Sequence, residues 1–181
     1  EAAVEHLAEA FRLDPYRESI QNELESVTEE YGFDETIIEV YRGLIEELGD
    51  PRKMVELAIE AGSRAKALES YDLAVECFSH VLELEPENRT ALDAIEQIAR
   101  ETGDIESLVD VLEHRADLTF EDEKRREILF ELAESYEQLD RRDDAIRTLR
   151  QILVLDESDE DVLSKLAKLY REEGRTHEYL E

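Results

Sequence analysis

Ile-Leu-Phe-Glu-Leu-Ala-Glu-Ser-Tyr at 128–136, followed by Asp-Asp-Ala-Ile-Arg-Thr-Leu-Arg-Gln-Ile-Leu at 143–153, is the stretch from which the fold can be read. Its apolar residues fall at Leu129, Leu132, Ala133 and Tyr136, and again at Ala145, Leu149 and Ile152. Steps of three and four put such side chains on one helix face, so the pattern predicts two amphipathic helices joined by a short link. Sliding the chain by 71 residues brings the pattern onto itself: Ala3, Ala74 and Ala145 align, as do Leu13, Leu84 and Leu155, and Gly32, Gly103 and Gly174. A fixed long period predicts a solenoid, in which each unit buries its apolar face only against its neighbours.

Helical periodicity runs through almost the whole chain, and glycine and proline fall where helices should stop. The expected helices are 1–13, 17–31, 34–47, 52–68, 71–84, 89–102, 104–118, 122–138, 141–155 and 159–173, with another beginning near 175. Gly32, Gly103 and Gly174 are expected between the two helices of a hairpin, where a left-handed residue costs least without a side chain. Pro15 and Pro86 close second helices, in Leu-Asp-Pro and Leu-Glu-Pro. Equivalent second-helix positions Ala3, Ile37, Ala74, Leu108, Ala145 and Tyr179 lie 34, 37, 34, 37 and 34 apart, so the long period is a doublet of unlike helix pairs.

A 34-residue unit of two antiparallel helices has the tetratricopeptide size, whereas armadillo and HEAT units exceed 40. The seven apolar positions quoted above resemble the signature of the tetratricopeptide repeat family. Ala74, Phe78, Val81 and Pro86 resemble it again, as do Ala3, Leu7, Ala10 and Pro15. The alternate units, with Leu92, Ile95, Glu96, Ala99, Leu108 and Leu112, keep the apolar face but lose small residues, and Glu96 stands where the family usually has one, so looser packing or rotated helices are expected there. Paired units of this kind look like those of long bacterial tetratricopeptide scaffolds. The resemblance implies an all-α, right-handed superhelical solenoid over 1–181: a half unit at 1–15, helix pairs at 17–49, 51–86, 88–119 and 121–156, and a partial pair at 159–181.

Composition sets further bounds. Hydrophobic residues make up 41% of the 181, enough for a core. Net charge is −29, from 50 acidic and 21 basic side chains, spread along the chain. A field of that sign repels nucleic-acid phosphates and anionic lipid, while it steers towards basic partners. No apolar run approaches the ~20 residues that span a bilayer. Cys77 is the only cysteine, so no internal disulfide forms. The opening Glu-Ala-Ala-Val-Glu-His reads as mid-helix, and a piece of a longer protein is expected.

No nucleotide-loop or hydrolase motif occurs, and no cofactor is expected. His6, His80, His114 and His177 are dispersed on second helices, and Cys77 with His80 supplies two ligands where a zinc site needs three or four. The acidic run Asp156 to Asp161 lacks the glycine and ligand spacing of a calcium loop. A non-catalytic chain is expected.

In the family, first helices line the concave side. That resemblance assigns a partner-binding face here to Asn22, Ser26, Ile59, Ser63, Lys66, Gln97, Arg100, Phe130, Glu134, Lys168 and Arg171. Ile59 and Phe130, one period apart, are apolar on a face that should be open. They are either anchors for a partner segment or core covered by a neighbouring helix. Asn22 and Lys66 are isolated fragments of a carboxylate clamp, and nearby glutamates oppose one. The expected function is a protein-interaction scaffold holding a peptide or helix of a partner, basic in character. The alternative is a spacer, regulatory or self-associating segment of a larger protein, joined through uncovered ends at Leu7 and Phe11 or Tyr179 and Leu180.

Overall fold

Four of the helices stop at the same kind of turn bond. The backbone N–H of Phe33, Ser70, Asp104 and Arg141 donates five residues back, to the carbonyls of Thr28, Ala65, Ala99 and Tyr136, at 2.8, 2.9, 3.0 and 2.9 Å. This is the closing bond of a Schellman turn, which requires a left-handed residue just past the helix. In a computed structural model that describes residues 2–174, Gly32 and Gly103 take that conformation at φ 72°, as expected. The other two turns use Glu69 (φ 58°) and Asp140 (φ 55°), one 71-residue period apart.

Among the described residues there are ten α-helices and no strand. They are α1 (Ala2–Leu13), α2 (Glu18–Tyr31), α3 (Asp34–Glu47), α4 (Pro51–Ala67), α5 (Tyr71–Leu84), α6 (Arg89–Thr102), α7 (Ile105–Leu118), α8 (Asp122–Gln138), α9 (Arg142–Leu155) and α10 (Glu160–Glu172). Each lies within a residue of its expected span at either end; the helix expected near 175 falls outside the described residues. Starts are capped where the sequence offers an acceptor. Asp50 accepts from the Arg52 N–H at 3.1 Å with Pro51 in the first turn, and Asp104 accepts from the Ser107 N–H at 3.1 Å.

The chain forms two compact units, Glu1–Ile98 and Ala99–Glu181. In the first, α4 packs on α5 and on α3, and α1 lies against α2 and α3. In the second, α8 packs on α9 and α7, and α10 on α9. The alternation of 34 and 37 residues has a simple origin: α4 and α8 are 17 residues long, whereas α2 and α6 are 14.

Helix contact in the α4–α5 hairpin is made by small residues. Ala58, Ala61, Ala65 and Ala74 are fully buried, and a Cβ on Gly62 would meet the Phe78 ring at 3.0 Å. In α8 and α9 the same positions read Leu129, Leu132, Tyr136, Ala145, Ala133 and Leu149, all at most 4% exposed. The first helix has become larger and the facing Phe78 position smaller, so volume moves across the interface and the interior stays filled. Each such buried large side chain contributes about 1.5–3 kcal/mol. The alternate pair α2–α3 is in much less contact than α4–α5, and α3 buries Ile37, Ile38, Val40, Tyr41, Leu44 and Ile45 chiefly against α4 rather than against its hairpin mate.

One expectation about the ends is corrected. Phe11 is 0% exposed, with its ring 5.8 Å from that of Tyr41, and Leu7 is half-buried. Packing of α1 on α2 and α3 covers the face that the sequence left open. Ala3 is exposed, whereas its counterparts Ala74 and Ala145 are 0% exposed. Tyr179 and Leu180 lie outside the described residues.

Candidate partner-binding face

The first helices α2, α4, α6, α8 and α10 turn their small and apolar residues inward, which leaves a second stripe of each helix for solvent. Asn22, Ser26, Ser63, Gln97, Arg100, Glu134, Lys168 and Arg171 are exposed on that stripe, while Ile59, Lys66 and Phe130 are half-buried. None of the eleven is core.

Polar bonds tie consecutive first helices together along the stripe. In the first unit, Lys53 Nζ donates to Gln21 Oε1 and Glu56 Oε1, both at 2.7 Å, and is nearly buried. Lys66 Nζ donates to Gln97 Oε1 at 2.5 Å. In the second, Arg100 pairs with Glu131 at 2.5 Å, Arg126 with Asp159 at 2.5 Å, and Lys165 with Glu134 at 3.1 Å and Glu137 at 2.8 Å. Asp159 also caps α10 by accepting from the Val162 N–H at 3.1 Å. The Arg126 hydrogen bond holds its carboxyl below the usual carboxylate range. Burial disfavours the Lys165 charge, yet Glu137 and Glu134 outweigh burial and raise its pKa.

Of the expected residues, the structure brings Lys66 to Gln97, and gathers Phe130 and Glu134 around Lys165. The Phe130 ring has Lys165 Nζ at 5.2 Å and Arg126 Cζ at 5.9 Å from its centroid. Asn22, Ser26 and Arg171 make no side-chain hydrogen bond or ion pair with another described residue, and Lys168 reaches only Glu172, at 3.9 Å. Sequence reading missed Arg126, Asp159 and Lys165. The available signal was opposite charge at separations of 31–33 residues, about one helix pair, as in 134 to 165 and 126 to 159.

On the second helices a cleft of about 280 Å³ lies between α3 and α5, lined among others by Arg42, Ile45, Glu76, Cys77 and His80. Arg42 and Glu76 pair across it at 2.6 Å, and His80 Nδ1 lies 3.2 Å from Glu83. Cys77 is buried, and burial pushes its thiol pKa up, away from nucleophile chemistry. Among the described residues no three His, Cys, Asp or Glu side chains are grouped to hold a metal. His177 lies outside them. No described helix is long and apolar enough to cross a membrane.

Paired helices stacked with a fixed sequence period define a helical-repeat solenoid protein. Residues 55–88 match a tetratricopeptide repeat model, and residues 126–179 match a second model of the same description. The two matches start one 71-residue period apart, at equivalent points in α4 and α8. The chain carries tetratricopeptide repeats over these two stretches. No curated protein matches it in sequence.

Among solved structures, a MamA structure shares 19% identity over 85% of this chain and 81% of its own, with a TM-score of 0.47. A putative kinesin light chain with TPR-like repeats from Podosopora anserina shares 18% over 99% and 89%, with 0.45. BtubC (BKLC) of P. vanneervenii shares 14% over 97% and 82%, with 0.43. Likenesses this distant carry no functional content.

Proposed function

We propose that this chain is a non-catalytic interaction scaffold that holds a peptide or helical segment of a partner protein on the face built by its first helices. The observation that carries the reading is the stripe itself, whose side chains stay accessible while cross-helix bonds fix the helices beneath them. A surface whose helices are fixed before the partner arrives costs less to bind, because less ordering remains to be done on binding. Net charge of −29 favours a basic partner. End-to-end self-association finds less support, since the buried Phe11 removes its main apolar contact at α1.

A paired-face pull-down tests the proposal. Proteins retained from a cell lysate by the wild-type chain are compared with those retained by Ser26→Arg/Ser63→Arg on the first helices and by Glu39→Arg/Ser79→Arg on the second. Specific partners should be lost with the first pair and kept with the second. Retention of every partner by Ser26→Arg/Ser63→Arg would sink the reading.

A further inference from the structure

The 71-residue duplication supplies two copies of the same seam in one molecule, and they differ where a partner would touch. In the second unit, the groove between α8 and α10 holds its own occupants. The Lys165 ammonium and the Arg126 guanidinium lie over the Phe130 ring, and their charges are received by Glu134 and Glu137 and by Asp159 and Asp161. In the first unit the equivalents of Arg126, Phe130 and Lys165 are Val55, Ile59 and Ala94, and those of Glu134 and Glu137 are Ser63 and Lys66. Valine and alanine are too short to repeat that cover, and Lys66 points its ammonium to Gln97 instead. Ile59 remains half-buried among them.

Resting on the first-helix face argued above, we propose that partner anchoring is confined to the first unit, at Ile59 on the α4–α6 seam, and that Phe130 is a structural residue closed by its own cations. The second unit shows what closes such a seam: two long side chains whose cationic ends lie over the ring. With isoleucine in place of the ring and no carboxylates at 63 and 66, the first seam has nothing to hold a cation, and its complement is an uncharged apolar side chain such as leucine, methionine or phenylalanine.

Charge defines the flanks of the same segment. Residues 1–98 carry 25 acidic and 8 basic side chains. Arg42, Lys53, Arg64 and Lys66 are held by Glu76, Glu56, Asp34 with Glu60, and Gln97. The unit as a whole therefore keeps a net negative charge, and the complementary occupant is an apolar residue flanked by lysine or arginine.

The test is selection of random peptides displayed on phage against the full 181-residue chain, followed by affinity measurement with the synthetic winners. Selected peptides should carry an apolar residue with basic neighbours. They should lose about tenfold or more in affinity for Ile59→Ser, less than about threefold for Phe130→Ser, and most of their binding when their lysines are changed to glutamate. Ile59→Leu, which keeps bulk and fold, should retain affinity and separates lost anchoring from lost folding. Amide-shift mapping distinguishes the two failures. Winners that perturb α8 and α10, or that bind Ile59→Ser unchanged, overturn the confinement to Ile59 but leave the first-helix reading standing. Winners that map to α3, α5 or α9, or no winners at all, overturn both.

Discussion

Glu69 and Asp140 hold positions where glycine would be the easier choice. A left-handed conformation costs a residue with a side chain about 1–2 kcal/mol, and the five-residue turn bonds at Ser70 and Arg141 hold it in place. Glu69→Gly should therefore stabilise the chain, by about 1 kcal/mol less the entropy that glycine loses on folding. Thermal unfolding measures it, and a midpoint no higher than wild type would show the turn to be unstrained. Gly32 and Gly103 announced their turns in the sequence. Glu69 and Asp140 did not, because nothing in a glutamate or aspartate reports the sign of its φ. Phe130 was equally opaque: its spacing marked an apolar residue on an open stripe, while the cations that cover it come from the same helix and from another 35 residues on.

The α4–α5 and α8–α9 hairpins solve one packing problem with opposite choices. Gly62 faces Phe78, whereas Ala133 and Leu149 occupy the equivalent positions. Gly62→Ala gains up to about 1 kcal/mol of helix propensity but drives a methyl against a buried ring, where overpacking costs about 1–3 kcal/mol. The single variant should be destabilised. Adding Phe78→Leu installs the pair already used one period later and should recover part of that loss. Chemical denaturation of the four members of the cycle reads the coupling, and additive effects would mean that the two positions do not compensate. Helix boundaries were legible to within a residue because caps and breakers are local. The exchange of volume between helices was not, since it depends on which side chains meet.

Charge acts on the chain as a whole. At −29 the repulsion among carboxylates reaches well beyond contact distance. Raising NaCl from about 0.01 M to 0.15 M shortens screening from about 30 Å to about 8 Å. The same screening weakens exposed ion pairs, but these contribute only about 0–1 kcal/mol each. The net effect should be a higher melting temperature at moderate salt, and a midpoint that falls over that range would show that local pairs dominate. Binding of a basic segment should weaken over the same range, since its attraction is screened as the self-repulsion is.

The ten helices of the described residues, their lengths and their doublet period are written in the sequence, because apolar spacing and turn residues act over a few neighbours. The class of protein follows from that period alone. Packing added what local pattern does not encode. It buried Phe11 under α2 and α3, made a helix cap and an interhelical ion pair from the same Asp159 carboxylate, and covered Phe130 while its counterpart Ile59 lacks the cations to match. Those outcomes depend on residues far apart in sequence that meet only once the helices are stacked. For the same reason, Ile59 and Phe130 are equivalent by position and unlike in their surroundings.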